Sequence, residues 1–272
     1  MTHRPFAGVA GWPAAHSLSP LMMRTWLREA GIPGEYGVFE LPENQFERLV
    51  NDAGRLGLSG LNVTLPHKES ALSLANTASE AAAAIGAANL LTFEDGRVVA
   101  DNTDFIGIDA ALRGSDQTQP ALLIGAGGAA RAALYYLAAQ DREIRIYNRT
   151  RHKADRLNEE LGAKAQIVTD LEDGLVGAGL VINSTSLGMV GQPGLSVDLS
   201  TCRDDSLVFD MVYTPLKTPL LEQAEQRRLK TADGLTMLIG QAEPSFEAFF
   251  GQAPAGADFV RSVLESKLEQ ER

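Results

Sequence analysis

Short continuous apolar runs alternate along the chain with longer stretches of helical spacing, the order expected of strands and helices taken in turn. The clearest unit lies mid-chain. The apolar run 121–124 enters Gly125-Ala126-Gly127-Gly128-Ala129-Ala130, Ala-rich sequence continues to about residue 139, and a second apolar run fills 144–147. Strand, tight turn, helix and strand in this order form the unit that holds a dinucleotide. Gly125 suits the tight turn, Gly127 lets a pyrophosphate approach the backbone, and small Ala130 in the third-glycine position permits close helix–strand packing. The amides that open such a helix face the phosphates.

Ahead of this unit, residues 6–10 read as a strand leading into a loop that ends His16-Ser17-Leu18-Ser19-Pro20. Pro20 suits the first turn of a helix carrying Leu21, Met22, Trp26 and Leu27, so Ser17 and Ser19 are expected just before that helix. One serine there is an ordinary N-cap; a pair leaves a spare hydroxyl that, with the helix dipole, can hold a carboxylate. A second strand is expected near 36–41, then a helix from Pro42 to about Leu56. After Gly57 a third strand ends in Asn62-Val63-Thr64-Leu65-Pro66-His67-Lys68. Alternation puts Asn62 and Thr64 on one face, and Pro66 breaks the strand so that Lys68 heads a following helix. A cation in the first turn of a helix opposes the dipole, which marks Lys68 out from an ordinary solvated lysine.

Ala-rich helical sequence at 79–84 leads to Asn89, and a hairpin follows from 90–93 through Glu94-Asp95-Gly96-Arg97 to 98–100. In Asp101-Asn102-Thr103-Asp104 a turn and a cap account for Asp101 and Asn102. Asp104, ahead of a helix at 105–112, falls where a cleft between two domains would open. Beyond residue 153 the alternation continues with a helix to Leu161, a strand at 165–168, and apolar residues 175–178 and 180–182. These lead to the polar loop Asn183-Ser184-Thr185-Ser186-Leu187-Gly188, and such strand ends bind ligands in doubly wound sheets. A strand at 207–211, a loop at 212–221 containing Tyr213, and Thr231-Ala232-Asp233-Gly234 close the domain. A helix from Leu235 places polar Gln241 on an otherwise apolar stretch. The last helix, about 257–268, is expected to present Phe259, Val260 and Leu264 as a packing face.

The end of the second strand of the glycine unit bears on the cofactor. An NAD site usually has Asp or Glu about 20 residues beyond the glycines. Here stand Asn148-Arg149-Thr150, with Arg151 and Lys153 behind them. The planar fork of Arg149 suits a 2′-phosphate, Thr150 adds a hydroxyl donor, and no carboxylate is present to repel the phosphate, so the sequence favours NADP over NAD. The competing reading is a solvated basic stretch on a surface helix.

Composition narrows the rest. The length of 272 residues allows two domains, and 44% hydrophobic with 22% charged residues is ordinary for a globular protein. A formal charge of −11 argues against a nucleic-acid or anionic-membrane surface. No apolar stretch approaches the roughly 18 to 20 residues of a membrane span, and the N-terminus lacks a signal-type apolar core, so the expectation is cytoplasmic. Cys202 is the single cysteine and reads as structural or incidental. His3, His16, His67 and His152 show no ligand spacing, and no metal site is expected.

With these pieces placed, the chain resembles the shikimate dehydrogenases. The resemblance rests on H-S-L-S-P at 16–20, N-V-T-L-P-H-K at 62–68, G-A-A-N at 86–89, D-N-T-D at 101–104, G-A-G-G-A-A-R at 125–131, N-R-T at 148–150 and G-L-T-M-L-I-G-Q at 234–241. It implies an α/β protein of two domains flanking a cleft: an N-terminal α/β catalytic domain of residues 1–103 plus 235–272, and a Rossmann-like NADP-binding domain of 104–234. It further implies Lys68 and Asp104 as the catalytic pair. Ser17, Ser19 and Tyr213 would hold the substrate carboxylate, and Asn62, Thr64, Asn89 and Gln241 the ring and its hydroxyls. Gly125, Ala126, Gly127, Gly128, Ala129, Ala130, Asn148, Arg149, Thr150, Lys153, Met211 and Gly234 match cofactor positions, as does Glu80 less closely. The implied reaction is reduction of 3-dehydroshikimate by NADPH to shikimate. The implied partners are that small molecule and, as one option, a second copy of the chain in a homodimer. Where the family often has Val-Asn-Thr the chain reads Ala88-Asn89-Leu90, it has Thr236 for a common Gly, and Met23 and Arg24 replace the His and Asn often seen after the Pro20 turn. The alternatives are a quinate/shikimate dehydrogenase preferring NAD, or a dinucleotide-sensing module without chemistry, which should lack Lys68 or Asp104.

Overall fold

The structure, a computed structural model, describes residues 4–270; His3 lies outside them. The chain forms two compact units, Met1–Thr103 with Gln241–Arg272, and Asp104–Gly240.

The first unit carries a six-stranded sheet of order β2-β1-β3-β5-β6-β4, built from β1 (Phe6–Gly11), β2 (Glu35–Glu40), β3 (Leu58–Val63), β4 (Thr77–Ala78), β5 (Leu90–Glu94) and β6 (Arg97–Asp101). β1 runs parallel to β2 and to β3. The β5–β6 hairpin is antiparallel. Its two-residue turn, Asp95-Gly96, takes positive φ at both positions (49° and 74°), the twist that two-residue hairpins favour. The helices are α1 (Ser19–Glu29), α2 (Glu43–Asp52), α3 (Lys68–Ser73) and α4 (Glu80–Ile85). Phe46, Leu49 and Val50 of α2 pack with Leu58, Leu61 and Val63 of β3 in one core cluster. α2 stops at Asp52, short of the expected Leu56, because Gly57 takes φ +70° and Leu58 N–H bonds back to Ala53 O at 3.0 Å, turning the chain straight into β3.

The second unit carries a six-stranded parallel sheet of order β12-β11-β10-β7-β8-β9. Its strands are β7 (Ala121–Ile124), β8 (Ile144–Tyr147), β9 (Gln166–Val168), β10 (Leu180–Asn183), β11 (Leu207–Asp210) and β12 (Lys230–Ala232), with α5 (Asp104–Ala111), α6 (Gly128–Ala138), α7 (Arg151–Leu161), α8 (Leu171–Leu175) and α9 (Pro219–Gln226) as its helices. Counted from β7, this is the strand order 3-2-1-4-5-6 of a dinucleotide-binding fold. The runs in β7 and β10 are buried at every position, as a sheet covered on both faces requires. The short elements β4, α8 and β12 have no counterpart in the sequence pattern; α8 starts because the Asp170 carboxylate caps Glu172 N–H at 2.9 Å.

Two C-terminal helices remain, α10 (Gly234–Phe250) and α11 (Ala257–Gln270). The division between the units falls inside α10, not at its start as the sequence suggests. An added Cβ at Gly240 would sit 2.8 Å from Ala110 Cβ, so the first part of α10 lies close against α5 and belongs with it. Phe259 departs from the expected packing face: it is 46% exposed, while Val260, Leu264 and Leu268 are buried. These last three repeat at i, i+4 and i+8, and Phe259, one residue earlier, points about 100° away from their stripe.

Candidate active site

In the first unit the loops that leave β1 and β3 lie side by side, since Trp12 N–H bonds to Leu65 O at 2.9 Å and Thr64 N–H to Ala10 O at 2.9 Å. Thr64 lies one residue past the strand end, with its methyl against Gly11, where an added Cβ would collide with it. The serine loop is pinned by Glu40, whose carboxylate accepts Ala14 N–H at 3.1 Å and Ala15 N–H at 2.6 Å. Ser17 Oγ accepts the Ser19 amide at 3.2 Å, so it does the work of a cap, and Ser19, buried, is the first residue of α1 and not ahead of it.

Lys68 is the first residue of α3, half-buried, and its carbonyl accepts Ala88 N–H at 2.8 Å. The preceding His67 is fully buried, stacked on Phe46 at 4.5 Å, with Nε2 2.8 Å from Leu41 O. That ring anchors the start of α3 to the β2–α2 connection.

Asn62, Asn89 and Gln241 are brought together in a buried polar network. Asn62 Oδ1 accepts the Tyr36 hydroxyl at 2.8 Å, while its Nδ2 donates to Ser245 Oγ at 2.8 Å and to Asn89 O at 3.4 Å. Asn89 Nδ2 donates to Thr103 Oγ1 at 3.0 Å and Gln241 Oε1 at 3.1 Å, and its Oδ1 accepts Thr103 N–H at 2.7 Å. Gln241 therefore faces this network, not solvent. The amide of Asn62 has protein partners at both ends. Tyr36, Glu40 and Ser245 were missed by sequence reasoning. The inward phase of Tyr36 on β2 and the acid at the end of that strand were the available signals, but neither names a partner. Glu80 opens α4 exposed, capped by Ser79, whose Oγ accepts Ala82 N–H at 3.0 Å and donates to Asp101.

In the second unit Gly125 takes φ +117°, and an added Cβ would collide with Ser184; Gly127 faces open space within 4 Å. A tight turn at the first glycine and an uncovered backbone at the second make the cradle a pyrophosphate needs, at the start of α6. Ala130 is fully buried. Gly128 and Ala129 supply the first amides of α6. Next to it, Gly125 N–H bonds to Tyr147 O at 2.8 Å, and Asn148 Nδ2 closes the following turn on Thr150 O at 2.8 Å. Thr150 occupies the N-cap of α7 without using its hydroxyl there, and the first turn of α7 has no acidic residue. Arg149, Arg151 and Lys153 are exposed around this helix start. Positive side chains at the positive end of a helix dipole form a site for an anion. Arg131 of α6 bonds to Glu160 of α7 at 2.6 Å and steadies the two helices on either side of this site.

Met211 and Gly234 meet, for an added Cβ at Gly234 would collide with the Met211 carbonyl. Tyr213 lies two residues on, and burial pushes its phenol up, so it is a neutral hydrogen-bond donor at neutral pH. Asp104 opens α5 and is 4% exposed; the sequence expectation placed it just before the helix. A carboxylate there sits where the dipole favours it. Among the described residues no helix is long and apolar enough to cross a membrane. Cys202 is buried, which pushes its thiol up to about 11, in keeping with an inert packing role.

Residues 9–91 match the model of the shikimate dehydrogenase substrate binding domain, and residues 110–209 match that of shikimate / quinate 5-dehydrogenase. A shikimate dehydrogenase (NADP(+)) from Paracoccus denitrificans (strain Pd 1222) is 44% identical over 271 residues, covering 96% of both chains. One from Maricaulis maris (strain MCS10) is 46% identical over 264 residues, covering 95% of this chain and 94% of its own. Among solved structures, shikimate 5-dehydrogenase from Thermus thermophilus in complex with NADP(H) and shikimate superposes with a TM-score of 0.88 at 32% identity, over 97% of this chain and 99% of that one.

Proposed function

The chain belongs to the shikimate dehydrogenase family, and from this we propose that it catalyses the reversible NADPH-dependent reduction of 3-dehydroshikimate to shikimate, on the route to chorismate and the aromatic amino acids. The observation that carries the choice of cofactor is the start of α7, where Arg149, Arg151 and Lys153 surround a first helix turn that holds no acid, Arg151 pairing with Asp155 one turn on. Arg149 pairs the 2′-phosphate, Thr150 adds its unused hydroxyl, and Gly125 to Ala130 take the pyrophosphate. Asn148, Met211 and Gly234 complete the cofactor contacts, with Glu80 at the margin.

In the substrate site, Ser17, Ser19 and Tyr213 hold the carboxylate, and Asn62, Thr64, Asn89 and Gln241 hold the ring and its hydroxyls. Bound NADPH supplies the hydride. Lys68 stands by the ketone oxygen, where its ammonium stabilises the developing alkoxide and supplies the proton; Asp104 orients the amine and shares the substrate hydroxyl. The family match over residues 9–91, which includes Lys68, supports this assignment. Residues 1–103 with the chain from Gln241 onward form the substrate domain, and Asp104–Gly240 the NADP domain. A cytoplasmic location, typical of enzymes of this pathway, and a homodimer, which sedimentation of the purified protein tests, belong to the same proposal.

The test is absorbance of NADPH formed by purified protein with shikimate, quinate or simple cyclic alcohols, each with NADP and with NAD. Rapid turnover with shikimate and NADP is expected. A preference for quinate with NAD would overturn the assignment.

A further inference from the structure

Asp210 ends β11 with no exposed surface, and its carboxylate accepts hydrogen bonds from Asn183 Nδ2 at 2.9 Å, Val212 N–H at 3.0 Å and Thr218 Oγ1 at 2.7 Å. Asn183 and Thr218 are also fully buried. Each passes the connection on. Asn183 Nδ2 reaches Leu187 O at 3.1 Å, and its Oδ1 accepts Thr185 N–H at 3.0 Å and Thr185 Oγ1 at 2.7 Å. Thr218 caps α9 by accepting Leu221 N–H at 3.3 Å. One carboxylate thus ties together the ends of β10 and β11, both loops that follow them, and the start of α9.

A carboxylate without exposed surface is a costly way to fill a core, since apolar packing would avoid its desolvation. Burial raises the acid above its ordinary range, while the bonds from Thr218, Val212 and Asn183 draw it back. The location supplies a reason. The tied loops stand at the carboxyl ends of adjacent parallel strands, beside the β7–β10 switch where this fold binds its ligands. The first loop reaches the glycine turn, as Ser184 Oγ donates to Ile124 O at 2.7 Å and abuts Gly125. The second carries Met211 and Tyr213 between two fixed points, Asp210 and Thr218, with Met211 backed by Gly234.

We propose that Asp210, through Thr218 and Asn183, is the positioning residue that holds Met211 and Tyr213 at the reacting end of the cofactor and substrate without touching either. This rests on the reading of the chain as an NADP-dependent shikimate dehydrogenase.

The test uses Asp210→Asn, Thr218→Val and the conservative Thr218→Ser in the full chain. It reads kcat, KM for shikimate, the dissociation constant of NADP by calorimetry, the melting temperature, and the isotope effect on kcat with shikimate deuterated at C3. Thr218→Val removes the donor at nearly constant shape, so it serves if Asp210→Asn does not fold. A reacting pair displaced by about 1 Å loses roughly 100-fold in rate. Thr218→Val is therefore expected to lower kcat/KM about 10- to 100-fold and raise the isotope effect, while NADP affinity, set mainly at the glycine turn and the start of α7 and only in part by Met211, changes far less. Thr218→Ser should restore turnover. Lower melting temperatures with kcat, KM and isotope effect unchanged would make the network a structural pin only and overturn the proposal. Wild-type protein inactive with shikimate in the same assay would overturn the functional reading as well, which separates the two failures.

Discussion

The phenol of Tyr36 donates to Asn62 Oδ1 at 2.8 Å, and both residues are buried. This bond fixes which way the Asn62 amide points, leaving its NH2 to hold Ser245 and the Asn89 carbonyl. The orientation of Asn62 is therefore set from β2, a strand that contributes no proposed substrate contact, while the Asn89 side chain is held by Thr103. Burial raises the Tyr36 phenol well above its usual value, so it remains a donor throughout the neutral range.

Tyr36→Phe should consequently cost about 1 to 3 kcal/mol, because it strands a buried amide oxygen. The KM for shikimate should rise and NADP affinity should not. The pH dependence has a definite sign. A phenol kept neutral by folding contributes nothing to pH dependence below the unfolded value, about 10, and stability is lost above it as the unfolded chain ionises. Denaturant titrations should show the gap between wild type and Tyr36→Phe narrowing above about pH 10. A constant gap would mean that Tyr36 ionises equally in both states.

Arg149 lies exposed at the start of α7, among Arg151 and Lys153 and with no acid in the first turn. Losing a charge-assisted pair to the 2′-phosphate costs about 1.5 to 3 kcal/mol, roughly 10- to 100-fold in binding. Arg149→Ala should raise the KM for NADP by that factor and leave that for NAD nearly unchanged. An equal rise for both cofactors would place Arg149 elsewhere.

The two serines can now be separated. Ser17 already accepts the Ser19 amide, so Ser17→Ala should lower the melting temperature as the loss of a cap does, about 0.5 to 2 kcal/mol. Ser19→Ala should leave stability close to wild type and weaken shikimate binding far more than NADP binding. Calorimetry showing full shikimate affinity in Ser19→Ala would remove Ser19 from the carboxylate site.

Local pattern made much of this fold legible and long-range pairing concealed the rest. The glycine turn, the β7-α6-β8 unit and the Asp95-Gly96 hairpin depend on residues close in sequence, whose backbone requirements few other residue types meet. Apolar spacing extends the expected α2 to Leu56, while the turn that ends the helix earlier depends on a backbone bond from Leu58 to Ala53. Helical spacing read from the sequence puts Phe259 in a packing stripe, yet its phase on α11 leaves it exposed. Glu40 reaches the serine loop because β1 and β2 pair with Gly11 opposite Glu40. Asn62 meets Ser245 far along the chain in the same way. No spacing rule predicts either contact. Asp210 reads in sequence as the end of an apolar strand, and only the fold brings Asn183 and Thr218 to converge on it.

Lys68 and Asp104 carry the most demanding prediction. Each opens a helix, α3 and α5 respectively; the dipole favours the acid at such a position and disfavours the ammonium. An ammonium beside the ketone oxygen would meet more charge in the alkoxide-like transition state than in the ketone, and only an interaction that strengthens in this way raises the rate. Lys68→Ala should lower kcat by roughly two to four orders of magnitude, the range for a positioned acid–base group, while NADP affinity by calorimetry is retained. Asp104→Asn should cost less if the carboxylate only orients the amine, and as much if it also takes part in proton transfer. Groups that act as a unit are not additive, so the double variant should be little slower than the slower single one. If Lys68→Ala turned over near the wild-type rate at saturating shikimate, Lys68 would be an ordinary binding contact and the proton would have to come from another group.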